Sequence, residues 1–217
     1  MVSRRNMLKT GLTAVFGACA VQTASASEVQ QKSQNNFDVV ILGAGTGGLV
    51  TAIEAADLGL KPVVLEKMEC SAGNSLYASG GIAAWGTSQQ KEEGRNETKE
   101  SFREDMMKVS EYRADPALVG AYVNHIPEDF EWLKKQGVKF SKIGKKPWPL
   151  NYRMHNVDGQ GLTGGARLVR YLLEACEKRN IPIIYNTKAI ELLTNDAGRV
   201  IGVRAQGDLH KTDYFAK

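Results

Sequence analysis

The chain has 217 residues and a formal net charge of +4 at pH 7, but its first 26 residues contain three basic and no acidic side chains. Without that segment the net charge is +1, so the charge gives no reason to expect nucleic acid as a partner. The cysteines are too few and too far apart for a disulfide framework, no His, Cys or acidic residues have metal-ligand spacing, and no C-x-x-C-H motif for a c-type haem is present.

Residues 1–26 predict an export leader that is separate from the fold. Residues 3–9 resemble the twin-arginine export motif, and the apolar segment 11–21 is too short to cross a bilayer as a helix. Ala24-Ser25-Ala26 fits a signal peptidase site. We therefore expect cleavage after Ala26 and export of the folded protein to the periplasm, with no transmembrane segment in the mature chain. The alternative is a basic amphipathic start to a cytoplasmic protein.

A polar Gln/Ser/Asn-rich linker, 27–36, leads into a phosphate-binding unit. The apolar run 39–42 predicts a buried parallel strand, which ends at Gly43-Ala44-Gly45-Thr46-Gly47-Gly48, a G-x-G-x-x-G motif with one extra glycine. Gly43 permits a tight turn, Gly45 lets the backbone approach a pyrophosphate, and Gly48 lets the next helix lie against the strand. That helix is predicted from about residue 49 to 58, and its N-terminus attracts a diphosphate.

A second apolar strand, 62–65, places Glu66 at its carboxyl end. A carboxylate there can accept two ribose hydroxyls, and it follows Gly48 at a spacing close to that of the ribose-binding acid. A G-x-G-x-x-G motif alone is weak evidence and is often only a glycine-rich turn. Together with the flanking strands, helix and acid, it predicts a dinucleotide site. Residues 73–82 are rich in small side chains and favour neither helix nor strand, as in an ordinary surface loop.

Residues 91–150 are charged and predict a helical insertion in the domain. One surface helix has an apolar stripe made by Phe102, Met106 and Val109. Asp115 and Pro116 predict the N-cap and first residue of a second helix. Its apolar residues stand one turn apart at Leu118, Tyr122 and Ile126. Pro127 is expected to start a further short helix, which Gly137 ends.

The last part of the chain predicts a helix from Thr163 to about residue 179 and then four strands. A hairpin signal at 195–198 joins the second and third of these strands, and the last three form a β-meander. The strands are predicted at 181–185, 188–193, 199–205 and 209–215. Because the sequence stops at Lys217, before a strand that would return to the parallel sheet, we expect the N-terminal part of a longer protein or a truncated gene.

Several of these motifs together resemble the flavoprotein part of the soluble fumarate reductases, the group that includes flavocytochrome c and urocanate reductase. The resemblance runs from Phe37 to the last residue. It is carried by Gly43-Ala44-Gly45-Thr46-Gly47-Gly48, Glu66-Lys67, Gly73-Asn74-Ser75, Ser79-Gly80-Gly81, Ala84-Trp85, Gln89-Gln90-Lys91, Asp115-Pro116-Ala117-Leu118-Val119 and Thr163-Gly164-Gly165-Ala166.

The resemblance implies an α/β fold, a Rossmann-like FAD-binding domain over residues 37–217 with a parallel sheet, a meander and the helical insertion. The first glycine loop would hold the FAD diphosphate, the acid its ribose, and the second loop would lie along the diphosphate and flavin. The glycines that open the last helix would also let a ligand approach. The implied cofactor residues are Gly43, Gly45, Thr46, Gly47, Gly48, Glu66, Lys67, Asn74, Ser75, Ser79, Gly80, Gly81, Gly164 and Gly165.

The resemblance also implies a reaction, hydride transfer from reduced flavin to a small unsaturated carboxylate, with electrons from a separate donor such as a cytochrome or a quinol-linked protein. The membrane-bound relatives attach flavin to a histidine where this chain has Asn74, so we expect non-covalent FAD. The catalytic residues are expected beyond Lys217. His155 could face the flavin or be a structural histidine. The alternatives are an enzyme like L-aspartate oxidase and a non-catalytic flavin-binding remnant.

Overall fold

The structure, a computed structural model, describes residues 36–71, 73–159 and 163–217, so the predicted leader and nearly all of the linker lie outside the described residues. Helices and strands are interspersed along the first part of the described chain, and four strands follow the last helix. The elements are β1 (Asn36–Phe37), β2 (Val39–Leu42), α1 (Thr46–Asp57), β3 (Pro62–Leu65), α2 (Asn74–Tyr77), β4 (Gly81–Ala83), α3 (Ser88–Glu92), α4 (Lys99–Val109), α5 (Pro116–Lys135), β5 (Met154–Asn156), α6 (Gly164–Glu177), β6 (Ile183–Ile184), β7 (Lys188–Thr194), β8 (Val200–Gln206) and β9 (Lys211–Ala216).

A parallel sheet with the order β2-β3-β6 lies at the centre of the fold. The strands β2 and β3 have the predicted bounds, whereas β6 is shorter than the predicted strand 181–185. Successive side chains of a strand point to opposite faces. Val64 therefore packs with α1 and α6, while Val63 and Leu65 pack with Ala205 and Tyr214 of the meander. This three-layer arrangement buries every residue of β3.

The meander is confirmed, because β7, β8 and β9 are joined by antiparallel pairing. These strands belong to a second sheet with the order β1-β9-β8-β7. At the hairpin between β7 and β8, Asn195 Oδ1 accepts hydrogen bonds from the amides of Ala197 and Arg199, and Gly198 has a φ of 74°. The predicted turn forms at this position for the expected reason, since an Asn side chain and a glycine at positive φ both favour a tight turn.

The helix α5 starts as predicted, but its buried face differs from the predicted one. Asp115 Oδ1 accepts a hydrogen bond from the amide of Ala117 at 2.7 Å, and Pro116 is the first helical residue. The buried stripe is Val119, Val123, Ile126 and Phe130. Leu118 is 71% exposed, so the predicted stripe was wrong at this position. In α4 Phe102 is buried but Val109 is 53% exposed, so that stripe too is only partly buried.

The prediction that Pro127 starts a new helix was wrong, because α5 runs through it to Lys135. Proline has no N–H, so the carbonyl of Val123, four residues earlier, lacks its helical partner. The indole Nε1 of Trp85 donates a hydrogen bond to that carbonyl at 2.7 Å. A side chain from another element thus supplies the missing donor, and the helix continues.

The described residues contain no helix that is long and apolar enough to cross a membrane. They also bring together no three His, Cys, Asp or Glu side chains that could hold a metal ion. Cys70 is exposed and Cys176 is buried, and both are free thiols. Burial raises the pKa of Cys176 to about 11, so this thiol is protonated at neutral pH.

Candidate functional site

The first glycine loop opens directly into α1, which starts at Thr46, three residues before the predicted start. Gly45 is the N-cap residue and has no side chain to offer, and the first helical hydrogen bond runs from the amide of Leu49 to the carbonyl of Gly45 at 3.0 Å. The amides of Thr46, Gly47 and Gly48 therefore have no partner within the helix. They form a group of donors at the positive end of the helix dipole.

Two glycines of this loop are required by the fold itself. Gly43 has a φ of 99°, a conformation that side chains disfavour. A Cβ on Gly48 would overlap the carbonyl oxygen of Gly43, so the helix could not lie as close to β2. A Cβ on Gly45 would meet only Ser75 Oγ at 3.5 Å, and one on Gly47 would meet nothing within 4 Å. At these two positions the protein leaves space open in front of the helix.

Glu66 lies at the carboxyl end of β3 with only 7% of its surface exposed. Its Oε2 accepts a hydrogen bond from the amide of Ala44 at 2.7 Å, and its Oε1 accepts one from the amide of Met68 at 2.9 Å. The carboxylate thus connects the first glycine loop to the end of the neighbouring strand. Each oxygen has a further lone pair and can still accept a hydroxyl group. The next residue, Lys67, is exposed.

The second loop, residues 73–81, reaches the N-terminus of α1 through Ser75. The amide of Thr46 donates a hydrogen bond to Ser75 Oγ at 3.2 Å. Asn74 and Ser79 are exposed, and Gly80 is buried with a φ of 77°. The loop contains the short helix α2 and ends in β4, although its composition predicted neither. Free amides, a hydroxyl and a carboxylate therefore lie around the two loops, a donor and acceptor set that suits a diphosphate and a ribose.

Gly164 and Gly165 are both buried, and the structure places them under the second loop. A Cβ on Gly164 would overlap the carbonyl oxygen of Ser79, and one on Gly165 would overlap that of Ser75. The space that these glycines leave is filled by the backbone of the loop. Sequence reasoning predicted that they admit a ligand, and it missed their contact with the loop.

His155 is fully buried and does not face an open site. Its Nδ1 lies 2.7 Å from the carbonyl oxygen of Arg153, which only accepts, so Nδ1 carries the proton and Nε2 accepts from Thr87 Oγ1 at 2.9 Å. The ring of Phe130 lies 4.5 Å away. Burial lowers the pKa of His155 despite its backbone hydrogen bonds. Of the two interpretations, the structural one is therefore correct.

A cavity of about 1190 Å³ runs beside α1 and α5 and is lined by residues that include Val50, Glu54, Ile126 and Trp132. Of the predicted cofactor residues only Thr46 reaches it. Trp132 Nε1 donates a hydrogen bond to Glu54 Oε2 across this groove at 3.0 Å. The groove is therefore distinct from the region between the two glycine loops.

Comparison with known proteins adds independent findings to this geometry. The sequence profile of the FAD binding domain family matches residues 38–216. Fumarate reductase (cytochrome) of Shewanella frigidimarina is 35% identical over 183 residues, which cover 84% of this chain and 32% of that protein. L-aspartate oxidase of Streptomyces coelicolor is 28% identical over 171 residues, 76% of this chain and 28% of that protein.

The fold is shared with a solved structure, the open conformation of a flavocytochrome c3 fumarate reductase. The TM-score is 0.77 at 24% identity, and the match covers 89% of this chain and 35% of that one. The chain thus spans about a third of the length of each of these three proteins.

Proposed function

Because this chain belongs to the FAD binding domain family, we propose that it forms the FAD-binding part of an oxidoreductase of the fumarate reductase type. The observation that carries the proposal is the meeting of the two glycine loops at the N-terminus of α1, where Ser75 Oγ accepts from the Thr46 amide at 3.2 Å. The similarity to fumarate reductase of Shewanella frigidimarina supports this reaction type over that of an L-aspartate oxidase.

Different residues around the two loops would bind different parts of the cofactor. The amides of Gly47 and Gly48 would bind the diphosphate, because they have no partner within the helix and lie at its positive end, while Thr46, whose amide donates to Ser75 Oγ, would line the same site. Glu66 would bind the ribose hydroxyls through its remaining lone pairs. The other residues that would line the site are Gly43, Gly45, Lys67, Asn74, Ser75, Ser79, Gly80 and Gly81.

When bound, FAD supplies hydride transfer to an unsaturated carboxylate, chemistry that no side chain performs. The contribution of this chain is to hold and orient the cofactor. Its second loop would also contact the diphosphate, since Ser75 lies against the N-terminus of α1. Electrons would come from a separate donor, a cytochrome or a quinol-linked protein. Export of the folded, cofactor-loaded protein through the twin-arginine route is part of the same proposal.

The proposal includes non-covalent FAD, because an amide side chain such as that of Asn74 cannot form a histidyl–flavin bond. Asn74 is exposed at the start of α2. Acid precipitation of the FAD-loaded protein should release all of the yellow colour into the supernatant. Flavin that stays in the washed pellet would show a covalent link and would contradict this part of the proposal.

The reaction itself is tested by anaerobic oxidation of reduced methyl viologen after addition of fumarate, acrylate or urocanate. FAD binding is measured on this chain, and turnover on the longest product of its gene. We expect turnover with at least one of these acids. Oxidation of L-aspartate by oxygen, without turnover of the unsaturated acids, would favour the oxidase, and binding of FAD without either activity would favour a non-catalytic remnant.

A further inference from the structure

The N-terminus of α6 contacts the second loop at three places, although the two segments are far apart in sequence. Thr163, the N-cap of α6, donates a hydrogen bond from its hydroxyl to the carbonyl of Leu76 and accepts one from the amide of Ala166 at 3.3 Å. The amide of Gly165 donates to the carbonyl of Ala78 at 2.9 Å. We call the segment 163–165 the α6 clamp.

The third contact of the clamp is a close packing of backbone on backbone. A Cβ on Gly80 would overlap Gly164, and a Cβ on Gly164 would overlap the backbone of Ser79. A Cβ on Gly165 would overlap the carbonyl of Ser75, the residue whose hydroxyl reaches the N-terminus of α1. The position of Ser75 therefore depends directly on how closely α6 approaches.

The C-terminal end of the loop is held from another direction by β5. The amide of Val157 donates to the carbonyl of Gly80 at 3.0 Å, and Gly81 pairs with Asn156. Between Gly73 and Gly80 the loop consists of small or polar residues except Leu76, which packs against the core, and Tyr77, which is 85% exposed, so its side chains contribute few of the contacts that fix its shape. The contacts with α6 restrict this stretch, together with the packing of Leu76 on the core and the hydrogen bond from the Thr46 amide to Ser75.

We propose that Thr163, Gly164 and Gly165 are positioning residues of the FAD site, which act through the second loop without touching the cofactor. The inference rests on the proposed function, because it requires the loop to contact FAD. The apparent Kd of a ligand rises as the inverse of the fraction of protein that has the binding-competent conformation. Loosening the clamp should therefore weaken FAD binding even when every contacting residue is intact.

The test compares Thr163→Val with Thr163→Ser. Valine has nearly the same shape but loses both hydroxyl hydrogen bonds, so the Kd for FAD should rise about 5- to 10-fold, whereas serine keeps both and should stay within about twofold of the wild type. Without FAD, hydrogen exchange at the amides of residues 76–80 should accelerate in the valine variant and not in the serine variant. Restoration by serine separates the hydroxyl contacts from a general loss of stability.

Thr98→Val is the matched control, because Thr98 is also an N-cap threonine, and its hydroxyl accepts from the amide of Ser101 at 3.2 Å in α4. This variant should lose stability and keep its FAD affinity. If Thr163→Val does not fold, Gly165→Ala replaces it, with Gly202→Ala as control, since a Cβ on Gly202 would overlap the carbonyl of Tyr214 in the meander. Of these two, only Gly165→Ala should weaken FAD binding.

The outcomes distinguish this inference from the proposed function. If Ser75→Ala weakens FAD binding while the clamp variants bind FAD like the wild type, the clamp inference is wrong and the site stands. If the wild type does not bind FAD, or if Ser75→Ala leaves the affinity unchanged, the assignment of the second loop to the site fails, and the inference fails with it.

Discussion

Glu66 combines two roles in one buried carboxylate. Its oxygens accept hydrogen bonds from the amide of Ala44 at 2.7 Å and from the amide of Met68 at 2.9 Å. These bonds hold the first glycine loop against the end of β3. The same oxygens are the proposed acceptors for the ribose hydroxyls. A substitution at this position therefore affects the shape of the loop and the contact with the cofactor together.

Glu66→Ala should weaken FAD binding by about 1.5–3 kcal/mol, the range for hydrogen bonds to a charged group. Glu66→Gln keeps one acceptor oxygen and should lose less. Isothermal titration with FAD measures both, and urea unfolding without FAD measures the separate effect on stability.

The control for this prediction is Glu69→Ala, which removes an exposed acid three residues further along the chain. It should change neither the affinity nor the stability by more than about 0.5 kcal/mol. An unchanged affinity in Glu66→Ala would remove this residue from the site.

At the scale of elements, α5 depends on a donor from outside the helix. Trp85 Nε1 supplies the hydrogen bond to the carbonyl of Val123 that Pro127 cannot supply. This hydrogen bond gives Trp85 of the Ala84-Trp85 motif a structural role, since the indole joins the segment after β4 to the middle of α5.

Trp85→Phe should destabilise the protein by about 1–3 kcal/mol, because it leaves the carbonyl of Val123 without its partner. Pro127→Ala restores a backbone N–H that can donate to the same carbonyl. In the double variant the decrease in the free energy of unfolding should therefore be smaller than in Trp85→Phe alone, by about 1 kcal/mol. Urea unfolding of the four proteins gives the coupling energy.

Trp148→Phe serves as the control for that cycle, since Trp148 is 58% exposed and its indole donates to Asp105. Combined with Pro127→Ala it should show additive effects. Additivity in the Trp85 cycle as well would mean that the indole does not replace the missing amide.

A second link between elements is the buried guanidinium of Arg153. It lies 2.9 Å from Glu97 and 2.8 Å from Asp105 of α4, with only 3% of its side chain exposed. Burial alone would raise the pKa of Asp105, but hydrogen bonds from Trp148 and Arg153 outweigh it and hold that pKa below its ordinary value of 3.8. The ion pairs join α4 to the segment before β5.

Arg153→Met should destabilise the protein by about 3–5 kcal/mol at pH 7, because it leaves two partly buried carboxylates without their cation. The contribution of Asp105 to wild-type stability is complete above the unfolded pKa and is lost as the pH falls through the lower folded value. In the variant the carboxyl is protonated more readily. The difference in stability should therefore shrink on acidification below about pH 4, as measured by urea unfolding between pH 3 and 7.

Lys108→Met is the control for this prediction. It removes an exposed pair with Glu104 at 3.6 Å and should cost less than about 0.5 kcal/mol. If the difference in the free energy of unfolding between the wild type and Arg153→Met stayed constant across the pH range, the ion pair with Asp105 would not contribute to stability as predicted.

At the scale of the whole molecule, the parallel sheet lies between two different layers. The helices α1 and α6 cover the face that includes Val64, and the meander covers the face that includes Val63 and Leu65. Both glycine loops lie at the carboxyl side of β2 and β3, where ligands bind in open parallel sheets. The layer that contains α6 thus covers the sheet and also, in our inference, positions the second loop.

The export prediction concerns the whole molecule and rests on residues 1–26, which lie outside the described residues. Arg4→Lys with Arg5→Lys should leave the precursor in the cytoplasm, because the twin-arginine pathway requires both guanidinium groups. Cell fractionation and immunoblotting measure the distribution, and mass spectrometry tests cleavage after Ala26.

The matched control for the export prediction changes two exposed arginines of the folded domain in the same way. Arg103→Lys with Arg113→Lys should leave the distribution unaltered. Mature protein that still reaches the periplasm without Arg4 and Arg5 would exclude this route.

The sequence by itself determined the strands β2 and β3, the N-cap at Asp115 and the meander, because each of these depends mainly on residues that are neighbours in the chain. It also determined the family resemblance, which is carried by short motifs. Turn residues, β-branched runs and caps act over a few positions, so their patterns can be recognised in the sequence without a structure. The place of Glu66 at the carboxyl end of β3 was predicted in the same way, and its contact with a ribose stays a prediction.

Only the tertiary structure decided which residues supply partners across long distances in the chain. The continuation of α5 through Pro127 depends on Trp85, the first glycine loop depends on Glu66, and the second loop is in contact with Thr163 and Gly165. The buried face of α5 likewise follows from what packs on it, so Val119 is buried and Leu118 is exposed. Local periodicity selects the type of element, whereas burial and the satisfaction of backbone groups depend on residues that folding brings together.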